Sequence, residues 1–167
     1  LLLTVLWLMP GTAAHAQQDA ASEPAVEEPV TSSGDTLWPR LIEGMALGNN
    51  NRAEVLTAAS GYSRHAKQVT NTLARSSPYL WHIVNAIEAR NMPMEIALLP
   101  AIESGFNIEA HSNRQASGLW QFMSGTAKLY GLQDSADYNA RRDPIASTDA
   151  ALTYLERLHN EYGDWLL

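Results

Sequence analysis

The stretch from Met94 to Phe106 constrains this chain most. Between Ile96 and Ile108 only one side chain is charged, that of Glu103. A helix that is apolar all round is buried, so the spacing predicts a core helix that ends in a carboxylate. A buried carboxylate is costly to a fold unless it has a partner or a task. Ser104-Gly105 follows at once, and Gly just past a periodic run reads as a helix C-terminal cap. Glu103 is thus expected in the last turn, where the helix dipole disfavours a second negative charge. Burial pushes the same way, and both effects favour a carboxyl that keeps its proton near neutral pH, the profile of a general acid. The competing expectation is an arginine partner across the core.

Charge is unevenly spread. The chain has 167 residues and a net charge of −7, yet no Lys or Arg precedes Arg40, while five of its 18 acids do: Asp19, Glu23, Glu27, Glu28 and Asp35. The remainder holds 13 acids against 11 bases. A nucleic-acid footprint needs a basic face, so nucleic acid is excluded as a partner. Leu1 to Pro10 is an apolar run too short to span a bilayer. With Ala14-His15-Ala16 behind it, it reads as residues 1–16 of a partial signal peptide, which implies export to a bacterial periplasm or cell envelope. Residues 17–34 lack aromatics and are rich in Ala, Glu, Pro, Ser and Thr, the composition of a disordered linker.

From Asp35 the periodicity is helical throughout, and no alternating run is long enough for a strand. Helices are expected from an Asp35-Thr36 N-cap with Pro39 in the first turn, over Ser63–Arg75, behind a Ser76-Ser77-Pro78 cap, over Gly125–Tyr130 after Ser124, and from an Asp143-Pro144 N-cap with an apolar stripe of Ile145, Ala151, Leu152, Leu155 and Leu158. Arg52–Ala59 is ambiguous, with Gly61 as a breaker. Trp38 and Trp81 are expected in the core, and Trp165 at the start of a further helix. The fold class is all-α. Residues 35–92 are expected to form an N-terminal helical region packing on a second part, residues 93–167, that carries Glu103.

Several motifs stand in a fixed order. Glu103-Ser104-Gly105-Phe106-Asn107 is followed by a polar loop, then by Ala116-Ser117-Gly118-Leu119-Trp120-Gln121-Phe122, then by Gly125-Thr126-Ala127. This series resembles the lysozyme-like lytic transglycosylases of bacterial cell walls. Pro78-Tyr79-Leu80, Met92-Pro93-Met94-Glu95 with Leu98-Leu99-Pro100, and Arg141-Arg142-Asp143 with Ala146 to Ala151 extend the resemblance to about residues 35–167. It implies a lysozyme-like helical domain that cuts the β-1,4 bond between N-acetylmuramic acid and N-acetylglucosamine in peptidoglycan, leaving a 1,6-anhydro sugar.

On that resemblance Glu103 is the acid and base, and Ser104, Ser117, Gly118, Leu119, Trp120 and Gln121 border the sugar. No metal or organic cofactor is implied. The partners are peptidoglycan glycan strands, with cell-envelope membrane association through the full-length protein. Where the family carries Met in its Gly-Leu-Met-Gln block, this chain has Trp120, a ring that can stack on a sugar or pack in the core. The family's Ala-Tyr-Asn motif belongs shortly after Leu167, so the chain is read as an N-terminal, C-terminally truncated part of the domain.

The residues alone agree in part. Most glycosidases pair two carboxylates, and substrate-assisted families are the exceptions. Glu109, Asp134, Asp137, Asp143 and Asp149 all lie in polar loops or helix starts, so none matches Glu103 in context. A goose-type lysozyme-like hydrolase, a non-catalytic peptidoglycan-binding module and a generic helical interaction domain are the alternatives. Glu156-x-x-His159 has the spacing of half a di-metal site but lacks the second copy such sites need.

Overall fold

The computed structural model describes residues 33–48 and 53–165. The leader expected over residues 1–16 and nearly all of the linker lie outside them, as do Leu166 and Leu167. The described chain forms seven α-helices: α1 (Ser33–Glu43), α2 (Ala53–Arg64), α3 (Ala66–Ala74), α4 (Ser77–Glu88), α5 (Leu99–Glu103), α6 (Ser124–Leu129) and α7 (Pro144–Tyr162). A 3₁₀ segment, Met94–Leu98, leads directly into α5. Among the described residues there are two isolated β-bridges, His111 with Ser117 and Ser117 with Phe122, and no β-strand. The all-α expectation holds.

Helix α4 is the hub. Leu80, Ile83, Val84 and Ile87 recur at helical spacing and are all buried. They pack against α1, the 3₁₀ segment and α7. Leu37 and Leu41 of α1, Ile96 and Ala97 of the 3₁₀ segment, and Ala150, Ala151 and Leu152 of α7 complete the core with Phe106 and Leu119. Burying a side chain of this size contributes about 1.5–3 kcal/mol, so this shared apolar surface dominates the assembly. Polar ties add orientation. Arg40 pairs with Glu88, donates to Asn85 Oδ1 at 2.9 Å and lies over the Trp81 ring. Arg90 joins α4 to Asp149 and to Thr153 Oγ1 of α7. Exposed pairs of this kind contribute little each.

The organising stretch departs from the expected single buried helix. Met94–Leu98 is 3₁₀ and α5 is only five residues long. Pro100 explains the break: it has no N–H to reach the carbonyl of Ile96, and its ring crowds that carbonyl, so the preceding turn tightens and the α-helix starts afresh at Leu99. Nor is the helix buried all round. Ile102 is 70 % exposed, and Glu103 is exposed as well. The expected cap does form: Gly105 takes φ +62°.

Smaller corrections have local causes. The helix opens at Ser33, which places Asp35 and Pro39 inside α1. Helix α2 runs through Gly61, where an interior glycine costs only about 1 kcal/mol. His65 separates α2 from α3, so the expected Ser63–Arg75 helix is shortened to Ala66–Ala74. Ser76 does not cap α4 through its side chain, because its hydroxyl donates back to Leu73 O at 2.6 Å. Trp81 is 47 % exposed and Ile145 64 % exposed, so neither is core. Trp165 lies in a bend and stacks on His159 with ring centroids 4.0 Å apart.

Candidate active site

Helix α5 brings Glu103 to a cleft of about 310 Å³. Leu99 and Glu103 form one side. The turn Trp120–Met123 forms the wall, Thr126 of α6 closes one end, and Ala151, Tyr154 and Leu155 of α7 form the floor. Glu103 is the one carboxylate on this lining among the described residues. Four arginine–carboxylate pairs occur among those residues, and none includes Glu103. The arginine partner across the core is therefore not formed among them. Burial of the free carboxylate, the other half of the sequence expectation, is not seen either. The reason is geometric: a five-residue helix packs one side on the core, and its final residue projects from the other.

The remaining residues expected at the site divide into two groups. Trp120 and Gln121 line the cleft. Ser117, Gly118 and Leu119 are buried beneath it, and Ser104 is half-buried at the end of α5. Ser104 Oγ lies 3.1 Å from Pro100 O and 2.9 Å from Leu119 O, so it links the end of α5 to the wall. Gly118 has φ +82°, and a Cβ there would stand 1.8 Å from Arg141 O, so only glycine lets the wall lie on the Arg141 backbone. Arg142 donates through Nε to Ser117 Oγ at 3.3 Å and pairs with Glu109 at 2.5 Å. Arg141 reaches Gln115 O at 3.0 Å and Asp134 at 3.3 Å. The two arginines thus clamp the irregular loop that carries the wall.

Trp120 is largely buried, and its indole N–H donates to Thr148 Oγ1 of α7 at 3.0 Å. The ring borders the cleft while its polar edge is satisfied inside the protein. Gln121 adopts φ +48°, and its amide NH₂ donates to Gly118 O at 2.9 Å and Ala110 O at 3.2 Å. Both donors of the amide are thereby committed, which leaves its oxygen as the free group. Two non-glycine residues in left-handed conformation, Phe106 and Gln121, flank the cleft region. Such strain persists only where packing over-determines it, and Phe106 is buried.

Thr126 stands in the Gly125-Thr126-Ala127 motif but is not among the residues expected at the site, and neither are Met123 and Tyr154. Tyr154 lies three residues after Ala151 on α7, so the helical spacing of Ala151, Tyr154 and Leu155 carried the signal. Tyr154 also contacts Tyr130, with centroids 5.1 Å apart, and Arg157 Nη1 lies 3.4 Å from the Tyr130 hydroxyl.

Comparison with known families decides the kinship. The Transglycosylase SLT domain model matches residues 82–167, just over half of the chain. The chain belongs to the transglycosylase SLT domain family. The match takes in Glu103, the wall, α6 and α7, every element of the cleft. This SLT-domain chain is 37 % identical over 139 residues to membrane-bound lytic murein transglycosylase D of Escherichia coli strain K12, covering 83 % of the chain and 30 % of that protein. It is 50 % identical over 93 residues to a putative tributyltin chloride resistance protein of Alteromonas sp. strain M-1, covering 55 % of the chain and 45 % of that protein. The SLT-domain chain thus spans under half the length of either relative.

Proposed function

We propose that this protein is a peptidoglycan lytic transglycosylase that acts in cell wall turnover, with Glu103 as its single acid and base. The observation that carries the reading is a lone carboxylate in a cleft whose other lining residues among those described are uncharged: apolar, amide or hydroxyl-bearing. A second carboxylate at glycosidase distance would instead favour hydrolysis by paired acids. Family membership and the similarity to a murein transglycosylase support the same chemistry.

In this reading the Glu103 carboxyl gives its proton to the glycosidic oxygen between N-acetylmuramic acid and N-acetylglucosamine. The bond from that oxygen to the muramic C1 breaks, and N-acetylglucosamine leaves with a free 4-hydroxyl. The Glu103 carboxylate then takes the proton of the muramic 6-hydroxyl as that oxygen bonds to C1. A 1,6-anhydro ring closes, Glu103 regains its proton, and no water is consumed. Because Glu103 is exposed in the free chain, the sugar filling the cleft supplies the exclusion of water that such chemistry uses. Trp120 presents a ring to the sugar and Gln121 an acceptor oxygen. Ser104, Ser117, Gly118 and Leu119 shape the wall from beneath. The setting is the cell envelope of a Gram-negative bacterium, with periplasmic location and membrane association through the whole protein.

Incubating the intact protein with purified sacculi and analysing the released muropeptides by mass spectrometry tests the reading. Anhydro-muramic ends are expected, and Glu103→Gln should abolish their release while sparing sacculus binding. Reducing ends alone would make the protein a hydrolase. Turnover near the wild-type rate in Glu103→Gln would remove Glu103 from the chemistry and leave a glycan-binding role.

A further inference from the structure

We propose that Arg75 is a positioning residue for Glu103, which makes the helices before the family match part of the catalytic unit. The inference rests on the reading of Glu103 as the acid and base. Arg75 precedes residues 82–167, the part that matches the family. It lies just past α3, at that helix's C-cap, and reaches across to the far end of α5.

Helix α5 has little stability of its own. Five residues make barely more than one turn, and nucleating a helix costs more than so short a piece returns. Its last carbonyls need external donors. Pro100 O is satisfied locally, by Ser104 N–H at 3.1 Å and Phe106 N–H at 3.0 Å. Gly105 O, in the turn two residues past the end of α5, accepts from Arg75 Nε at 2.7 Å, a short charge-assisted bond. A cation at a helix C-terminus also meets the negative end of the dipole. Arg75 is itself held, because Nη2 donates to Thr72 Oγ1 at 3.2 Å. Among the described residues Arg75 forms no ion pair, so its charge is spent on this turn.

The turn is shaped to receive it. Gly105 and Phe106 are both left-handed, at φ +62° and +57°. A Cβ on Gly105 would come within 2.8 Å of Arg75 Nη2, so glycine lets the guanidinium lie flat against the backbone. Two consecutive left-handed residues, separated from Glu103 only by Ser104, form the exit from α5, and Arg75 is the one side chain among the described residues that bonds to it from α3 or its C-cap. Without that bond the turn can relax and carry the Glu103 backbone with it. A displacement of about 1 Å at a reacting group can cost about 100-fold in rate.

The test uses the intact protein on purified sacculi, with Glu103→Gln as the inactive reference. Turnover, sacculus binding and the folded fraction at assay temperature are measured for Arg75→Ala, Arg75→Lys and Thr72→Val. Arg75→Ala should lower kcat about 10- to 100-fold while binding stays within about twofold. Arg75→Lys, which restores a cation and one donor, should fall between Arg75→Ala and wild type. Thr72→Val loosens only the Arg75 side chain and should lower kcat by a few fold in a fully folded protein. Should Arg75→Ala fail to fold, the other two variants decide the matter. Folded variants with wild-type kcat, beside an inactive Glu103→Gln, would overturn the role of Arg75 alone. An active Glu103→Gln would remove the Glu103 reading and this inference with it.

Discussion

The hydroxyl of Ser104 stands 2.9 Å from the carbonyl oxygen of Leu119, fifteen residues further along the chain. That single bond joins the residue after the carboxylate to the wall of its cleft. The hydroxyl has one proton and two acceptors in reach, Leu119 O and Pro100 O. Pro100 O already receives two backbone N–H groups, whereas Leu119 is fully buried and its carbonyl receives none among the described residues. The proton therefore belongs to Leu119.

Ser104→Ala should leave that buried carbonyl unsatisfied. A loss of about 1–3 kcal/mol is expected. Turnover should fall about tenfold even where the protein is fully folded, because wall and carboxylate are no longer tied. Thermal unfolding and sacculus turnover measured side by side check both halves.

Gly118→Ala combines two penalties. Its φ of +82° is left-handed, which costs a residue with a Cβ about 1–2 kcal/mol. The Cβ also collides with Arg141 O at 1.8 Å, a backbone atom that cannot step aside. We expect a total of about 3 kcal/mol or more. Gly131 is a matched control, since it has φ +81° and nothing within 4 Å of its Cβ position. Gly131→Ala should pay only the conformational part, about 1–2 kcal/mol. Denaturant midpoints for the two variants separate strain from collision.

Asp143 predicts an acid-dependent stability. Its carboxyl is held below its ordinary value of 3.8, first by the Ala146 N–H at 2.9 Å, then by the Tyr138 hydroxyl at 2.8 Å and the Ile145 N–H at 2.8 Å. Because the folded pKa is depressed, the contribution is complete above the unfolded value and drains away as pH falls through the folded one. At neutral pH Asp143→Ala should cost about 1 kcal/mol, as loss of an N-cap does. The gap between wild type and variant should narrow steadily below about pH 4. Chemical unfolding at pH 7 and pH 3 measures it. A gap that stays constant would show that the charge of Asp143 contributes nothing.

Arg141-Arg142 shows the limit of local reasoning. In the sequence they stand only as part of the Arg141-Arg142-Asp143 motif. In the fold they clamp Ser117, Gln115 and Glu109 and so hold the wall against the start of α7. Trp120 shows it again, because a ring able to stack on sugar or pack in a core proves to border the cleft with its N–H tied to Thr148.

The sequence by itself determined the helical class, the hub stripe of α4, the glycine stop after Glu103 and the Asp143-Pro144 start of α7. Each depends on side-chain periodicity or on the φ and donor chemistry of one residue, which neighbours in the chain suffice to set. The ordered motifs around Glu103 and the Ser117–Gln121 block also identified the family from sequence. Only the tertiary structure decided that Glu103 is exposed, that Pro100 breaks its helix into two, that Trp120 turns its polar edge inward, and that Arg75 reaches the turn behind the carboxylate. Those outcomes depend on which face of a short helix meets the core and which distant group meets an orphan carbonyl. Exposure and long-range hydrogen bonding are properties of the packed chain, and a pattern of apolar residues along one segment does not contain them.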